Sequence, residues 1–107
     1  MDNWRVNKLE AMIQQDPNDE FVMFALAQEH KKMGFLEKSV KWYNRLKTAN
    51  PDYVGLYYHL AAVYAELDEE ANAVETYNTG IEIAQKLNDQ HALSELQNAK
   101  LNYELEL

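Results

Sequence analysis

The residues able to do chemistry are few and scattered. Three histidines, His30, His59 and His91, share no spacing that would set two imidazoles on one face as metal ligands. There is no cysteine, which removes thiolate nucleophiles, disulfides and sulfur-ligated metals together. GxSxG, P-loop, GxGxxG and HExxH patterns are all absent. No pair of carboxylates is isolated in an apolar segment, the setting that lifts one pKa for acid–base work. Glu69-Glu70 falls where a helix should begin, and there negative charge simply suits the macrodipole. His30 reads as a core or half-buried histidine. No catalytic residue, metal or cofactor is expected, and the chain is read as not an enzyme.

What remains is charge and aromatic rings. The net charge of −8 is unevenly placed. Residues 1–51 carry eight Lys/Arg against seven Asp/Glu, whereas residues 52–107 carry two against eleven. Lys31, Lys32, Lys38, Lys41, Arg45 and Lys47 crowd together with Glu37 as the one acid among them. Clustered cations give salt-dependent contacts to phosphates. The protein is acidic overall, however, and shows no nucleic-acid recognition motif. A solvated face is the expectation, with an acidic protein or the acidic carboxyl-terminal half in a head-to-tail contact as the intermediate case. No nucleic-acid partner is expected.

The elements that must position these groups are helices. Three Gly and two Pro stand against an apolar fraction of 47%, and Ala, Leu, Glu, Lys and Gln, all helix formers, are abundant. At 107 residues the chain supports one domain with one continuous core. Its amino terminus, Met1 to Val6, is polar and lacks the apolar stretch of a signal peptide. No apolar run approaches the ~20 residues of a membrane span. A cytoplasmic protein without a membrane partner is expected.

Six helices follow from the spacing of apolar residues and from the breakers between them. The first, over 3–15, lines up Val6, Leu9, Met12 and Ile13, and Asp16-Pro17-Asn18-Asp19 ends it. The second, Asp19–Met33, has Asp19 as its N-cap and Gly34 as its left-handed stop. The third, Leu36–Ala49, points Leu36, Val40, Tyr43 and Leu46 inward, with Ser39 crossing Ala27 small against small. Asn50-Pro51-Asp52 breaks the chain again, with Asp52 placed to cap. The fourth helix, Tyr53–Leu67, carries Gly55 for close packing; Asp68 then stands where Gly34 did and is placed to cap the next helix. The fifth, Glu70–Leu87, buries Ala73, Val74, Tyr77, Gly80 and Ile81. The sixth, Gln90–Leu105, shows one stripe of Ala92, Leu96, Ala99 and Tyr103.

The second to fifth helices are one pattern written twice. A shift of about 34 residues lays Met23 on Tyr57, Leu26 on Leu60, Ala27 on Ala61 and His30 on Tyr64. The same shift lays Ser39 on Ala73, Val40 on Val74, Tyr43 on Tyr77 and Pro17 on Pro51. The pattern Met23-x2-Leu26-Ala27-x2-His30, then Ser39-x3-Tyr43 and Pro51, resembles the tetratricopeptide repeat (TPR), a helix–turn–helix unit. The likeness extends to small free-standing bacterial proteins of that family. It implies an all-α fold, an α-α superhelix of about six antiparallel helices. Residues 1–18 are then a leading half-repeat acting as a cap, 19–52 and 53–87 the repeats, and 88–107 a closing helix.

The resemblance also implies a function. Stacked helix pairs curve, and the first helix of each pair lines the concave side. With Met23, Leu26, Ala27 and His30 used in the core, Phe21, Phe24, Gln28 and Lys31 face that groove. The same offsets in the second repeat give Tyr58, His59, Ala62 and Glu66, and Leu93 and Leu96 form a far wall. The family's carboxylate clamp, which holds the acidic tails of heat-shock chaperones with Lys, Asn and Arg, maps onto Phe24, Gln28, His59, Asp89 and Leu93. None of these is Lys or Arg, so an apolar extended or helical peptide fits better. The expected function is a non-catalytic scaffold binding a protein or peptide. Two alternatives stay open: the sixth helix covers this face and makes Phe24 and Tyr58 core, or the chain self-associates as a homo-oligomer through the aromatic groove or through Trp4 and Trp42.

Overall fold

The computed structural model describes residues 3–107, and the described residues form six α-helices and no strand. They are α1 (Trp4–Gln15), α2 (Glu20–Lys32), α3 (Leu36–Ala49), α4 (Gly55–Glu66), α5 (Glu70–Lys86) and α6 (Gln90–Leu105). Each lies within two residues of where the apolar spacing puts it. The chain divides into two compact units at the Asn50–Pro51 junction.

The first unit holds α1, α2 and α3. Asn3 caps α1 by accepting from the backbone N–H groups of Arg5 and Val6, and Asp19 caps α2 by accepting from that of Val22. Val6 and Ile13 of α1 are buried, and Leu9 is half-buried. Met12 is instead exposed, because one residue of helix turns about 100° and carries it off the flank that Ile13 buries. The α2–α3 pair buries Val22, Met23, Leu26, Ala27, Tyr43 and Leu46, whereas Leu36 and Val40 are only half-buried. Ser39 meets Ala27 as the small-on-small spacing requires, and its hydroxyl donates to the Ala27 carbonyl at 2.8 Å. The Asn50 amide donates to Glu20 at 2.9 Å and fastens the end of α3 to the start of α2.

The second unit holds α4, α5 and α6. Asp52 does not cap α4; the helix begins past Val54 without a side-chain cap, and Asp52 forms an ion pair with Lys86 at 3.0 Å. That pair ties the start of α4 to the end of α5, the place where Asn50 and Glu20 act in the first unit. Asp68 does not cap α5 either, which has no side-chain cap. The core is made of Leu56, Tyr57, Leu60, Ala61, Val63, Ala73, Tyr77, Ala84 and Leu96. Val74 and Ile81 stand half-exposed, and Thr76 and Ala84 take the inner line of α5. Gly80 marks a close approach of α5 to α4 and α6. A Cβ there would lie 2.6 Å from the Tyr57 Cβ and 3.2 Å from both Leu96 methyls. A Cβ on Gly55, by contrast, would meet only the Tyr53 ring, at an ordinary 3.9 Å, so close packing does not explain it.

The turns from α2 to α3, from α4 to α5 and from α5 to α6 share one geometry. Gly34, Asp68 and Asn88 all take positive φ, at +82°, +58° and +56°. After each, the next N–H reaches back five residues: Phe35 to the His30 carbonyl, Glu69 to Tyr64 and Asp89 to Ala84, at 2.8 to 2.9 Å. This is the Schellman closure, which satisfies carbonyls left over at a helix end.

Candidate functional site

In the first unit the outward side of α2 carries Phe21, Phe24, Gln28 and Lys31. Phe21 is 69% exposed, although a phenyl ring gains by burial. Phe24, one turn on, is half-buried and sets its edge against the Tyr43 ring, with centroids 5.8 Å apart and planes at 72°. Gln28 is exposed and Lys31 half-buried. Phe21 and Gln28 also border a depression of about 240 Å³ between α1 and α2, together with Trp4, Leu9, Met12 and Ala25. Its polar margin is Arg5, Lys8 and Glu29, and Glu29 holds Arg5 at 3.6 Å and Lys32 at 3.7 Å. The sequence reading did not isolate this depression. The signal was there in Trp4, Lys8 and Met12, which recur every fourth residue along one side of α1.

In the second unit α4 presents Tyr58, His59 and Ala62, all half-buried, and exposed Glu66. The Tyr58 and His59 rings meet edge to face at 5.4 Å. On α6, Leu93 is half-buried, but Leu96 is 1% exposed and packs on Gly80. Leu96 therefore belongs to the core of this unit and offers a ligand nothing.

The charged faces sit on the second helices of the pairs. On α3, Lys38 lies 5.2 Å above the exposed Phe35 ring and the Arg45 guanidinium 4.8 Å above Trp42. These cations rest on rings of their own neighbourhood. On α5, Glu70, Glu75 and Glu82 border a broad open depression with Val74, Asn78 and Thr79. Lys41 and Glu75 hold equivalent places one repeat apart, so corresponding faces of the two units carry opposite sign.

His30 is 5% exposed, in the core as its place in the repeat predicts. Burial holds its pKa below the usual imidazole value; the Lys38 ammonium lowers it further, and Glu10 opposes. Its Nδ1 has no hydrogen-bond partner among the described residues. Burial also raises the Tyr57 phenol, with Asp52 adding to the shift, and its hydroxyl donates to the Pro51 carbonyl. Among the described residues no group of three or more His, Cys, Asp or Glu could hold a metal ion. No helix of the described residues is long and apolar enough to cross a membrane.

Comparison with known proteins places this arrangement. The chain is similar in structure to a tetratricopeptide repeat domain protein of the bacterium Salinibacter ruber, at 45% identity and a TM-score of 0.74. That match covers 80% of this chain and 96% of the other. The TPR2B domain of yeast Sti1, solved in complex with pHsp70, matches with a TM-score of 0.87 at 19% identity, covering 95% of this chain and 82% of that one. The type III secretion translocator chaperone SycD of Yersinia enterocolitica matches with a TM-score of 0.84 at 15% identity, covering 94% and 70%. At such low identities these two show a shared fold. No curated protein sequence matches the chain. The tetratricopeptide repeat family itself matches over residues 22–53 and 54–87, the two stretches in which the periodicity writes its pattern twice. The chain belongs to the tetratricopeptide repeat family.

Proposed function

We propose that this chain is a non-catalytic, cytoplasmic protein-interaction module. In this reading it takes an apolar extended peptide or a partner helix along the first helices of its repeats. Residues 19–52 and 53–87 are the two repeats, residues 1–18 a leading half-repeat and residues 88–107 a closing helix. The family is a protein-interaction fold, and among the similar structures one is a complex with a protein ligand and another is a chaperone. The observation that carries the reading is the exposed Phe21 ring on α2, with Phe24 and Gln28 following on the same side. Tyr58, His59, Ala62 and Glu66 hold the corresponding places on α4, and Lys31 and Leu93 complete the set. Aromatic rings bring large contact area with few torsions to freeze, which is why interfaces favour them. Lys31 is the one cation in the set, so recognition rests on apolar contact and not on a carboxylate clamp.

Affinity capture from the native lysate tests this, comparing the wild type with a Phe24→Ala/Tyr58→Ala variant whose helix content is checked by circular dichroism. The wild type is expected to retain a specific protein that the variant loses. Equal recovery by both would overturn the assignment of the binding face.

A further inference from the structure

The large apolar side chains left exposed fall mainly into two groups. In the first unit Trp4, Met12 and Phe21 gather at the α1–α2 depression, with Trp4 at 68% exposure. In the second, Leu101 and Leu105 stand one turn apart on the outer side of α6, with Leu107 just beyond, and Leu105 is 75% exposed. The inner side of α6 is already used: Leu96 packs on Gly80, and the Tyr103 ring lies 6.3 Å from that of Tyr77. The two leftover surfaces also carry opposite charge. Arg5 and Lys8 border the depression with Glu29, which already holds Arg5, leaving a net positive margin, while Glu104 and Glu106 flank Leu105.

Repeat register adds the geometry. Pro17 aligns with Pro51 and Leu9 with Tyr43, so α1 takes the place of a second helix in a pair, whereas α6, following α5, takes that of a first. In the pairs α2–α3 and α4–α5 the two helices are antiparallel neighbours, the end of the first leading into the start of the second. We propose that the α1–α2 depression receives the carboxyl-terminal half of α6 from a second copy of this chain. Set antiparallel to α1 of its neighbour, α6 lays Leu101 and Leu105 against Trp4, Leu9 and Met12. Glu104 and Glu106 then come to the amino-terminal turns of α1, where Arg5 and Lys8 and the positive end of the helix dipole lie. Two different surfaces meet, so the contact is heterologous and repeats from copy to copy instead of closing on itself as a two-fold pair.

Sedimentation equilibrium over a wide concentration range, at low and high salt, reads this out. The wild type should rise above its single-chain mass of 12.5 kDa with concentration, and less so at high salt. Met12→Glu spoils the depression and Leu105→Glu the helix. Both sites are exposed, so folding is kept, as circular dichroism checks. Each variant alone should stay at the single-chain mass, with association weakened about tenfold or more. Mixed in equal amounts, they should form a two-chain species that grows no further, because the intact α6 of one meets the intact depression of the other. A wild type that stays monomeric throughout would overturn the proposal. So would variants that assemble like the wild type, or a mixture that stays at the single-chain mass. Phe21 and Gln28 border both this depression and the ligand face described above, so the readings are separated by testing Leu105→Glu, which touches neither, in the affinity capture as well: loss of self-association with the captured protein retained shows that they stand or fall independently.

Discussion

At the scale of single residues, the two repeats differ most instructively at His30, which stands where the second repeat has Tyr64. Its imidazole is buried and its pKa lowered, chiefly by desolvation and then by Lys38. The unfolded chain therefore binds a proton more readily than the folded one below the ordinary value of 6.5. Stability from this residue is whole above that pH and is lost as the pH falls toward the lowered value. Urea unfolding between pH 7.5 and 6, where carboxylates hardly titrate, should show stability falling with acid. His30→Tyr should flatten that slope whatever it does to stability itself, and an unchanged slope would assign the pH dependence to other groups. Phe21 and Leu96 make the opposite pair. Both are large apolar residues at helical spacing, yet one is open to solvent and the other sealed over Gly80.

At the scale of elements, helix placement follows breakers and caps, whereas helix approach follows small residues. Two glycines separate these roles. A methyl group on Gly80 meets the Tyr57 Cβ, an atom tied to the α4 backbone, so α4 and α5 have to part. Overpacking of this kind costs about 1–3 kcal/mol, against at most about 1 kcal/mol gained in helix propensity. Gly80→Ala should therefore destabilise the protein. Gly55→Ala, whose methyl group meets only the Tyr53 ring at ordinary contact distance at the start of α4, should stabilise it by about 0.5 kcal/mol. Denaturation midpoints compare the two, and a Gly80→Ala midpoint at or above the wild type would refute the close approach. The loops show the same economy: Asp52, set to cap α4, is drawn instead to Lys86 at the far end of α5, where it fastens the helix pair.

At the scale of the molecule, Gly80 and the Tyr57 and Leu96 atoms it approaches all lie within the second unit. Repeat proteins carry much of their stability locally, unit by unit. The Gly80→Ala damage should thus concentrate where the methyl group lands. Native-state amide exchange should accelerate in α4, α5 and α6 more than in α2 and α3. Uniform acceleration throughout would show that the chain opens only as a whole. Charge is also distributed at this scale, with basic α3 and acidic α5 presenting equivalent faces of opposite sign through Lys41 and Glu75. Such a distribution steers partners and sets salt dependence while leaving the fold alone.

The sequence by itself determined the all-α class, the six helices, their turns and the family. Those follow from local chemistry repeated at a fixed period: Asp19 capping, Gly34 and Asp68 reversing the chain, Leu26 and Leu60 returning in phase. Side-chain exposure was less legible, because a helix wheel gives an angle and not the neighbour that stands at it. Met12 shares a stripe with Val6 and Ile13 but lies at its open edge, and Leu96 shares a helix with Leu101 but faces Gly80. Only the tertiary structure decided which apolar residues are core and which are left to meet something else. Burial depends on the atoms packed opposite, and those come from elements distant in the chain.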